Sequence, residues 1–214
     1  MNERYILRQE VITLVFYFME ALAIVHPVTN TPMGTLPRAQ AIQEGAWCRS
    51  TNVFVMNSKG EILCHQRSLG KERMPGVWST HLGGHVGGDE SYESNAQKEL
   101  TEESGIVVDA NALIPWRTTK LEKAHLWVKE FVVHVDKDIS ELIPQPGEVE
   151  CFAWMSPEDI LKAAGTDDKN WCAGTHNFMV EYHCLRAALT ASRVQAHLST
   201  GVDLHTWHPL EPQS

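Results

Sequence analysis

One stretch of this 214-residue chain limits its possible folds more than any other: a glycine-rich run followed by a glutamate-rich helix. Residues 83–88 read GGHVGG, and residues 91–104 predict a helix. Glu99, Glu102 and Glu103 are three and four residues apart, so they share one side of that helix. Carboxylates this close repel one another unless a cation lies between them, and such oxygen ligands suit Mg²⁺ or Mn²⁺.

The glycine-rich run adds a second element to this predicted metal site. Its backbone, with Gly83 as the candidate, can approach a metal ion through a carbonyl group, and Glu90 at the helix entrance can fold back toward the group. A hard divalent ion in this setting is suited to bind a diphosphate and orient water for attack on phosphorus. Taken alone, Glu102 and Glu103 would be read as a solvated helix face.

The complete pattern resembles the Nudix box, G-x5-E-x7-R-E-U-x-E-E-x-G-U, in which U is an aliphatic residue. Gly84, Glu90 and residues 98–106 (KELTEESGI) match every fixed position except one, where Lys98 replaces arginine. Lysine keeps the charge but loses the bidentate fork. The resemblance implies an α/β fold, the Nudix α/β/α sandwich, in which a mixed β-sheet lies between helices and the box forms loop-helix-loop. It also implies Mg²⁺-dependent (or Mn²⁺-dependent) hydrolysis of a diphosphate linkage.

Motifs outside the box are similar to the Nudix branch that contains type I isopentenyl-diphosphate isomerase. They are residues 66–71 (QRSLGK), 75–78 (PGVW), 84–85 (GH) and 170–171 (NW), and the similarity covers about residues 21–183. The resemblance implies that Arg67 and Lys71 contact the substrate diphosphate. Trp171 is a further candidate, as a cover for the substrate. His85 matches a ligand histidine of the isomerase, but we favour a supporting or structural role for it in a hydrolase.

Two departures from the isomerase pattern favour hydrolysis over isomerisation. The isomerase has a cysteine directly before the Gly-His pair, where this chain has Gly83. It also has a glutamate on a strand that we place at residues 126–133, where Trp127 is the expected match. Proton transfer at an allylic carbon needs an acid and a base on opposite faces, and both would be missing. An isomerase-like enzyme and a non-catalytic metabolite-binding Nudix domain remain the alternatives.

The resemblance also assigns roles to individual carboxylates. Glu99, Glu102 and Glu103 would hold the metal, with Glu90 in support. Glu148 lies just before a predicted strand, at a place where the family often has a metal ligand or a base. The group that activates water would be Glu99, Glu103 or Glu148.

Composition limits the partners and the compartment. A net charge of −9 argues against a nucleic-acid surface and an anionic membrane surface, so we expect a small diphosphate metabolite as the partner. The five cysteines are scattered and form no C-x-x-C pair, which is typical of reduced thiols in the cytoplasm. The apolar run at residues 11–25 is too short to span a bilayer and contains Glu20, so we expect no membrane anchor.

We predict three regions along the chain. Residues 1–18 are an N-terminal extension, residues 19–165 the Nudix domain, and residues 166–214 a C-terminal helical segment and tail packed on it. The apolar stripe of the last predicted helix, at residues 178–197, either closes the core or forms a homodimer face, and we expect the core. The remaining predictions are strands at residues 21–25, 51–56, 61–66, 78–82, 106–108, 126–135 and 148–155, a turn at 29–35, and a helix from 157 to 165.

Overall fold

The computed structural model describes residues 20–166, 170–172 and 178–200. The predicted N-terminal extension and the tail beyond residue 200 lie outside these ranges. The strands are β1 (Ala21–Val25), β2 (Pro32–Pro37), β3 (Cys48–Met56), β4 (Ile62–Arg67), β5 (Trp78–Ser79), β6 (Ile114–Leu121), β7 (Leu126–His134) and β8 (Val149–Met155). The helices are α1 (Arg38–Glu44), α2 (Tyr92–Ser104), α3 (Pro157–Thr166) and α4 (Phe178–Thr200).

The eight strands form one mixed, branched sheet with β3 at its centre. β3 pairs in parallel with β7 along its whole length, β6 continues antiparallel to β7, and β1 and β2 extend the sheet beyond β3. β4 forms antiparallel ladders with β5 and β8. β3 and β4 pair only through Met56 and Ile62, next to the turn that joins them. Beyond that turn the two strands separate, and one edge of β3 is left open.

The glycine-rich run fills this open edge of β3. Val53 and Leu82 exchange two backbone hydrogen bonds, of 2.7 and 3.0 Å, and the Thr51 N–H donates to the Gly84 carbonyl at 2.9 Å. The run is therefore held as an extended segment against the sheet, although it forms only isolated bridges rather than a strand. This attachment fixes the backbone that the helix α2 then packs against.

Helices cover both faces of the sheet. Neighbouring residues of β3 point to opposite faces, so they pack against different helices. On one face, Val53 packs in a buried cluster with Leu100 of α2. On the other, Phe54 packs in a buried cluster with residues of α3 and α4, among them Leu185. The predicted α/β architecture, a mixed sheet between helices, is confirmed.

Three local predictions were wrong. Residues 106–108 form no strand: Ile106 is buried in the core next to α2, but Val107 is exposed, so the run of branched residues reflects local propensity without a pairing partner. The predicted turn at residues 29–35 instead leads into β2, which pairs with β1 despite its two prolines. Of the strand predicted at residues 78–82, only Trp78–Ser79 forms a strand, which pairs with β4, while Leu82 joins β3 through an isolated bridge.

Two elements had no sequence signal strong enough to predict them. The edge strand β6 is rich in polar residues and contains Pro115, because much of its surface faces solvent. The short helix α1 ends at Gly45, whose left-handed conformation (φ 61°) favours glycine. No helix in the described ranges is long and apolar enough to cross a membrane.

The position of α4 gives a test of the packing. Replacing Leu185, which is fully buried, by alanine should lower the free energy of unfolding by about 2–5 kcal/mol, because it leaves a cavity between α4 and the sheet. Val180→Ala on the same helix is the control: this side chain is 70% exposed, so the change should stay within about 0.5 kcal/mol. Urea denaturation measures both values. Equal losses would contradict the docking of α4 through its buried face.

Candidate active site

The helix α2 presents its carboxylates to the glycine-rich run because both of its ends are fixed. At the start, the Ser91 side chain accepts from the Ser94 backbone N–H, and the Ser94 side chain accepts from the Ser91 N–H. At the end, Gly105 has a left-handed conformation (φ 70°), and its N–H donates to the Thr101 carbonyl. The predicted helix at residues 91–104 is thus confirmed, with Ser91 as its N-cap.

Two of the predicted metal ligands face the backbone of the glycine-rich run directly. The Gly83 N–H donates to Glu103 Oε2 at 3.0 Å. A Cβ atom built on Gly84 would lie 2.6 Å from Glu99 Oε1, so a side chain there would collide with the carboxylate. The glycines therefore allow α2 to bring both carboxylates against the edge of β3.

Burial gives these carboxyl groups unusually high proton affinities. Desolvation, helped by the charge of Glu102, raises the pKa of Glu99 to about 7, while the charge of Lys98 opposes the rise. Desolvation also raises the pKa of Glu103 to about 8, with a further contribution from the charge of Glu99, while the hydrogen bond from Gly83 opposes the rise. Without a cation, the two groups cannot both be ionised at low cost near neutral pH.

Asn95 and Glu90 connect α2 to the glycine-rich run through further hydrogen bonds. The buried Asn95 side chain donates to the His85 carbonyl at 3.0 Å and to Glu90 Oε2 at 2.9 Å, and it accepts from the Thr51 hydroxyl at 2.6 Å. Glu90 also accepts from the Gly87 N–H at 2.8 Å.

Lys98 completes the set of donors around Glu90, because its ammonium group donates to Glu90 Oε1 at 3.0 Å. These contacts lower the pKa of Glu90, although burial acts in the opposite direction. Both carboxylate oxygens of Glu90 thus accept hydrogen bonds from groups of the protein itself. The predicted role of Glu90 in supporting substrate or metal stays a prediction.

The donor set suits a hard divalent cation. Glu99 and Glu103 supply carboxylate oxygens, and the Gly83 carbonyl accepts no hydrogen bond from any described residue. Glu102 is exposed, but its charge reaches Glu99. No cluster of three or more acidic, histidine or cysteine side chains in the described ranges is close enough to hold an ion by itself. The predicted ligand set of Glu99, Glu102 and Glu103 therefore stays a prediction.

The predicted phosphate-binding cations lie at and just after the end of β4, in the part of the sheet where β4 pairs with β5 and β8. The Arg67 guanidinium donates to the carbonyls of Met74 and Arg73 at 3.3 and 3.2 Å, and its charge lowers the pKa of Glu103. Lys71 forms an ion pair with Glu148, whose own charge raises the pKa of Glu103. Arg67 and Glu148 therefore act electrostatically on Glu103, and Lys71 is bound to Glu148.

His85 belongs to a separate group of charges. Its Nδ1 lies 3.3 Å from the Arg38 guanidinium, which also binds the Glu20 carboxylate at 2.6 Å. Burial and the nearby Arg38 charge lower the pKa of His85 to about 4, so the imidazole is neutral near pH 7. The charge of Glu20 in turn raises the pKa of Glu99, which links the His85–Arg38–Glu20 group electrostatically to the carboxylate pair. Sequence reasoning did not find Glu20 or Arg38.

Trp171 lies on the other side of the molecule's central sheet, in the cluster that α4 covers. It forms a bridge with Trp78, and the two rings stack with centroids 6.1 Å apart. The Cys172 N–H donates to the Trp78 carbonyl at 2.9 Å. The predicted role of Trp171 as a cover for the substrate stays a prediction.

The backbone at Gly83 excludes a side chain. Residue 83 has φ +146°, and a Cβ atom there would lie 2.0 Å from the Thr51 carbonyl oxygen. The cysteine that stands at this place in the isomerase branch would force the run away from β3. The backbone conformation at residue 83 therefore requires the glycine that stands in place of the cysteine of the isomerase branch.

A buried glutamate on β7 was missed by the sequence argument. Glu130 is 5% exposed, although Trp127 was the expected match on this strand. Arg117 binds both oxygens of Glu130, with Nη2 to Oε1 at 3.0 Å, and it also binds Glu181 of α4 at 2.9 Å. Thr119 donates to Glu130 at 3.4 Å. A single acidic residue inside the apolar strand sequence LWVKEFVVH was the signal that could have revealed it.

Comparison with known proteins agrees with this geometry. The family model for the NUDIX domain matches residues 47–173, which is more than half of the chain. The chain belongs to the NUDIX family. The matched range begins just before β3 and includes the glycine-rich run, α2 and Trp171, so it contains both halves of the candidate site.

Individual relatives carry two different names. The isopentenyl-diphosphate Delta-isomerase of Burkholderia multivorans is 27% identical over 183 residues, which covers 84% of this chain and 99% of that protein. An uncharacterised Nudix hydrolase of Pseudomonas aeruginosa is 41% identical over 77 residues, 36% of this chain and 46% of that protein. The crystal structure of DR0079 from Deinococcus radiodurans superposes with a TM-score of 0.59 at 23% identity, covers 69% of this chain and 90% of that one, and supports the fold.

Replacing Gly84 by alanine tests whether this glycine makes room for Glu99. The new methyl group must displace the flexible end of Glu99, so we expect a folded protein whose metal-dependent activity falls by about 10²-fold. Gly165→Ala is the control, because no atom lies within 4 Å of the Cβ it would gain. Circular dichroism and turnover in Mg²⁺ measure the two effects. Unchanged activity in the Gly84 variant would contradict the proposed fit.

The raised pKa values predict that metal binding releases protons. At about pH 6 the Glu99 and Glu103 carboxyls, with pKa values of about 7 and about 8, are largely protonated, and a cation must displace those protons. The affinity for Mn²⁺ or Mg²⁺ should therefore rise from about pH 6 to about pH 9, while proton release disappears near the upper end. Calorimetry in buffers of different ionisation enthalpy measures both, and a pH-independent affinity would refute the prediction.

Proposed function

We propose that this protein is a Mg²⁺-dependent Nudix pyrophosphohydrolase that cleaves a diphosphate linkage in a nucleoside diphosphate derivative or another small diphosphate metabolite. Mn²⁺ is the alternative metal. The observation that carries the proposal is the pair Glu99 and Glu103, two desolvated carboxyls held against the glycine-rich run in a NUDIX domain. Hydrolysis needs a cation and a base at one point, and this pair can contribute to both.

Glu99, Glu103 and the Gly83 carbonyl would hold the metal, and Glu102 is the third carboxylate of the proposed set. When bound, the ion supplies charge neutralisation for the diphosphate and lowers the pKa of a coordinated water. Glu103 is the base we favour: the Gly83 N–H fixes Oε2, so Oε1 can take the proton from the attacking water. A bound cation would keep the Glu103 carboxylate ionised, which is the form that can accept a proton.

Arg67 and Lys71 would neutralise the phosphate charge on the other side of the cleaved bond. The water oxygen forms a new bond to phosphorus, the bridging oxygen leaves with the departing phosphate, and both products are anionic. Lys71 is bound to Glu148 in the substrate-free protein, so a phosphate that takes Lys71 would release the Glu148 carboxylate. Glu148 would then be the second candidate base, as its charge already acts on Glu103.

An isopentenyl-diphosphate isomerase is the second candidate, because relatives along most of the chain carry that name. Two observations support hydrolysis instead. Gly83 has no room for the cysteine of that branch. Arg117 binds both oxygens of Glu130, and these contacts limit the availability of this carboxylate for proton exchange with a substrate.

The hydrolase proposal is tested by metal-dependent phosphate release across a panel of diphosphates, with Glu103→Gln beside the wild type. The panel contains nucleoside triphosphates, nucleotide sugars, dinucleoside polyphosphates, thiamine diphosphate and isoprenoid diphosphates. We expect turnover of one class, and a loss of about 10²-fold or more in kcat for the variant, because it removes a base and a metal ligand.

Glu158→Gln is the matched control, since Glu158 is exposed in the first turn of α3. It should retain full activity. Conversion of isopentenyl to dimethylallyl diphosphate would support the isomerase instead. Ligand binding without turnover would support a non-catalytic Nudix domain, and an active Glu103 variant would refute the role of the carboxylate pair.

A further inference from the structure

One guanidinium group joins the glycine-rich run to the start of β1. Arg38 Nη1 donates to Glu20 Oε2 at 2.6 Å, and Arg38 Nη2 lies 3.3 Å from His85 Nδ1. Glu20 directly precedes β1, Arg38 is the first residue of α1, and His85 lies in the glycine-rich run. Because the guanidinium is a rigid plane, its contact with Glu20 also fixes the orientation in which it meets the imidazole.

The direction of the hydrogen bond between Arg38 and His85 fixes the position of the ring proton. A guanidinium carries only N–H donors and no acceptor, so His85 Nδ1 is the acceptor of this bond. A proton on Nδ1 would point at the cation instead. The ring therefore carries a single proton, on Nε2. Neither ring nitrogen then offers a free lone pair to a metal ion, since Arg38 occupies one and the proton occupies the other.

The His85 residue is held at its backbone and at Nδ1, while its Nε2 edge is unengaged. The His85 carbonyl accepts from Asn95 at 3.0 Å, and residue 85 forms an isolated bridge with Ser50 of β3. The Nε2 atom has no hydrogen-bond partner in the described ranges and is not one of their fully buried unpartnered atoms. The side chain is half-buried, so this edge of the ring is open to solvent.

The Glu20–Arg38–His85 group lies beside the carboxylate pair. His85 directly follows Gly84, where a built Cβ atom would lie 2.6 Å from Glu99 Oε1. The charge of Glu20 also acts on Glu99. A diphosphate held through a cation at Glu99 would therefore bring phosphate oxygens, which are hydrogen-bond acceptors, into the neighbourhood of the His85 donor.

We propose that His85 donates its Nε2–H to a phosphate oxygen of the substrate and is not a metal ligand, and that Arg38 is a positioning residue that fixes this tautomer. The inference rests on the proposed function, which supplies the phosphate. It separates this chain from the isomerase branch, in which the matching histidine is a ligand. A cation on His85 would be repelled by the nearby Arg38 charge, whereas a phosphate oxygen is attracted by it.

The first test measures the tautomer directly in the full-length wild-type protein. Long-range proton–nitrogen NMR spectra distinguish protonated from unprotonated ring nitrogens, and the signals that disappear in His85→Gln belong to His85. We expect an unprotonated Nδ1 and a protonated Nε2 at neutral pH, unchanged when Mg²⁺ is added. Arg38→Leu removes the donor, so the Nδ1 signal should shift and both tautomers should appear. A proton on Nδ1 of the wild type would overturn the inference.

The second test separates a hydrogen-bond donor from a metal ligand. His85→Phe keeps a ring but removes the donor, so it should bind Mn²⁺ as the wild type does. In Mg²⁺ it should bind methylenediphosphonate about tenfold more weakly, since a hydrogen bond to a charged group is lost. His85→Gln keeps an acceptor for Arg38 and an N–H donor, so both affinities should stay within about threefold of the wild type. Calorimetry measures these affinities.

His183→Phe is the matched control, because His183 is exposed on α4, and it should bind both probes as the wild type does. A loss of Mn²⁺ affinity of about tenfold in His85→Phe, as expected for a lost ligand, would overturn the inference alone. Normal binding of methylenediphosphonate by that variant would do the same. Failure of the wild type to bind methylenediphosphonate would overturn the proposed function and the donor role with it. The wild-type spectra decide the tautomer even where a variant fails to fold.

Discussion

The close approach between α2 and the edge of β3 is the constraint on which the rest of the site depends. It is possible because residues 83 and 84 have no Cβ atoms: one would meet the Thr51 carbonyl and the other the Glu99 carboxylate. With side chains absent, the backbone of the run bonds to β3 and still leaves the Gly83 N–H for Glu103. The same contact therefore completes the sheet and positions the carboxylates.

This approach has an electrostatic cost, because it places two carboxyl groups in a poorly solvated corner. Their raised pKa values record that cost, and a divalent ion would relieve it. Glu90 avoids the same problem because Lys98, Asn95 and the Gly87 N–H satisfy it. Lys98, which stands where the family pattern has arginine, contributes one ammonium contact to Glu90, and two amide N–H groups donate to the same carboxylate.

The branching of the sheet brings the second half of the site to the first. β4 leaves β3 after one pair of residues, so its end carries Arg67 to the side where Glu103 lies. β8 pairs with β4 and brings Glu148 to Lys71 from a distant part of the sequence. On the other face, Arg117 joins β6 and β7 to α4 through Glu130 and Glu181. One branched sheet thus supports the carboxylate pair beside the glycine-rich run and, on its other face, the aromatic cluster under α4.

Much of this could be predicted from the sequence, because some patterns are local. The capped helix at residues 91–104, the long strand of β7 and the hairpin after β3 follow from residue spacing and turn residues. The glutamate spacing in α2 likewise follows from the helical repeat, which no tertiary contact changes. The polar edge strand β6 could not be predicted, because its stability comes from the partner β7 rather than from its own residues.

The sequence by itself determined that Glu99 and Glu103 share a helix face beside a glycine-rich run. Only the tertiary structure decided that the run bonds to β3, that Asn95 links it to α2, and that Glu130 is bound by Arg117. The physical reason is range: helical periodicity acts over a few residues, whereas burial and ion pairing depend on which distant segments the sheet brings together.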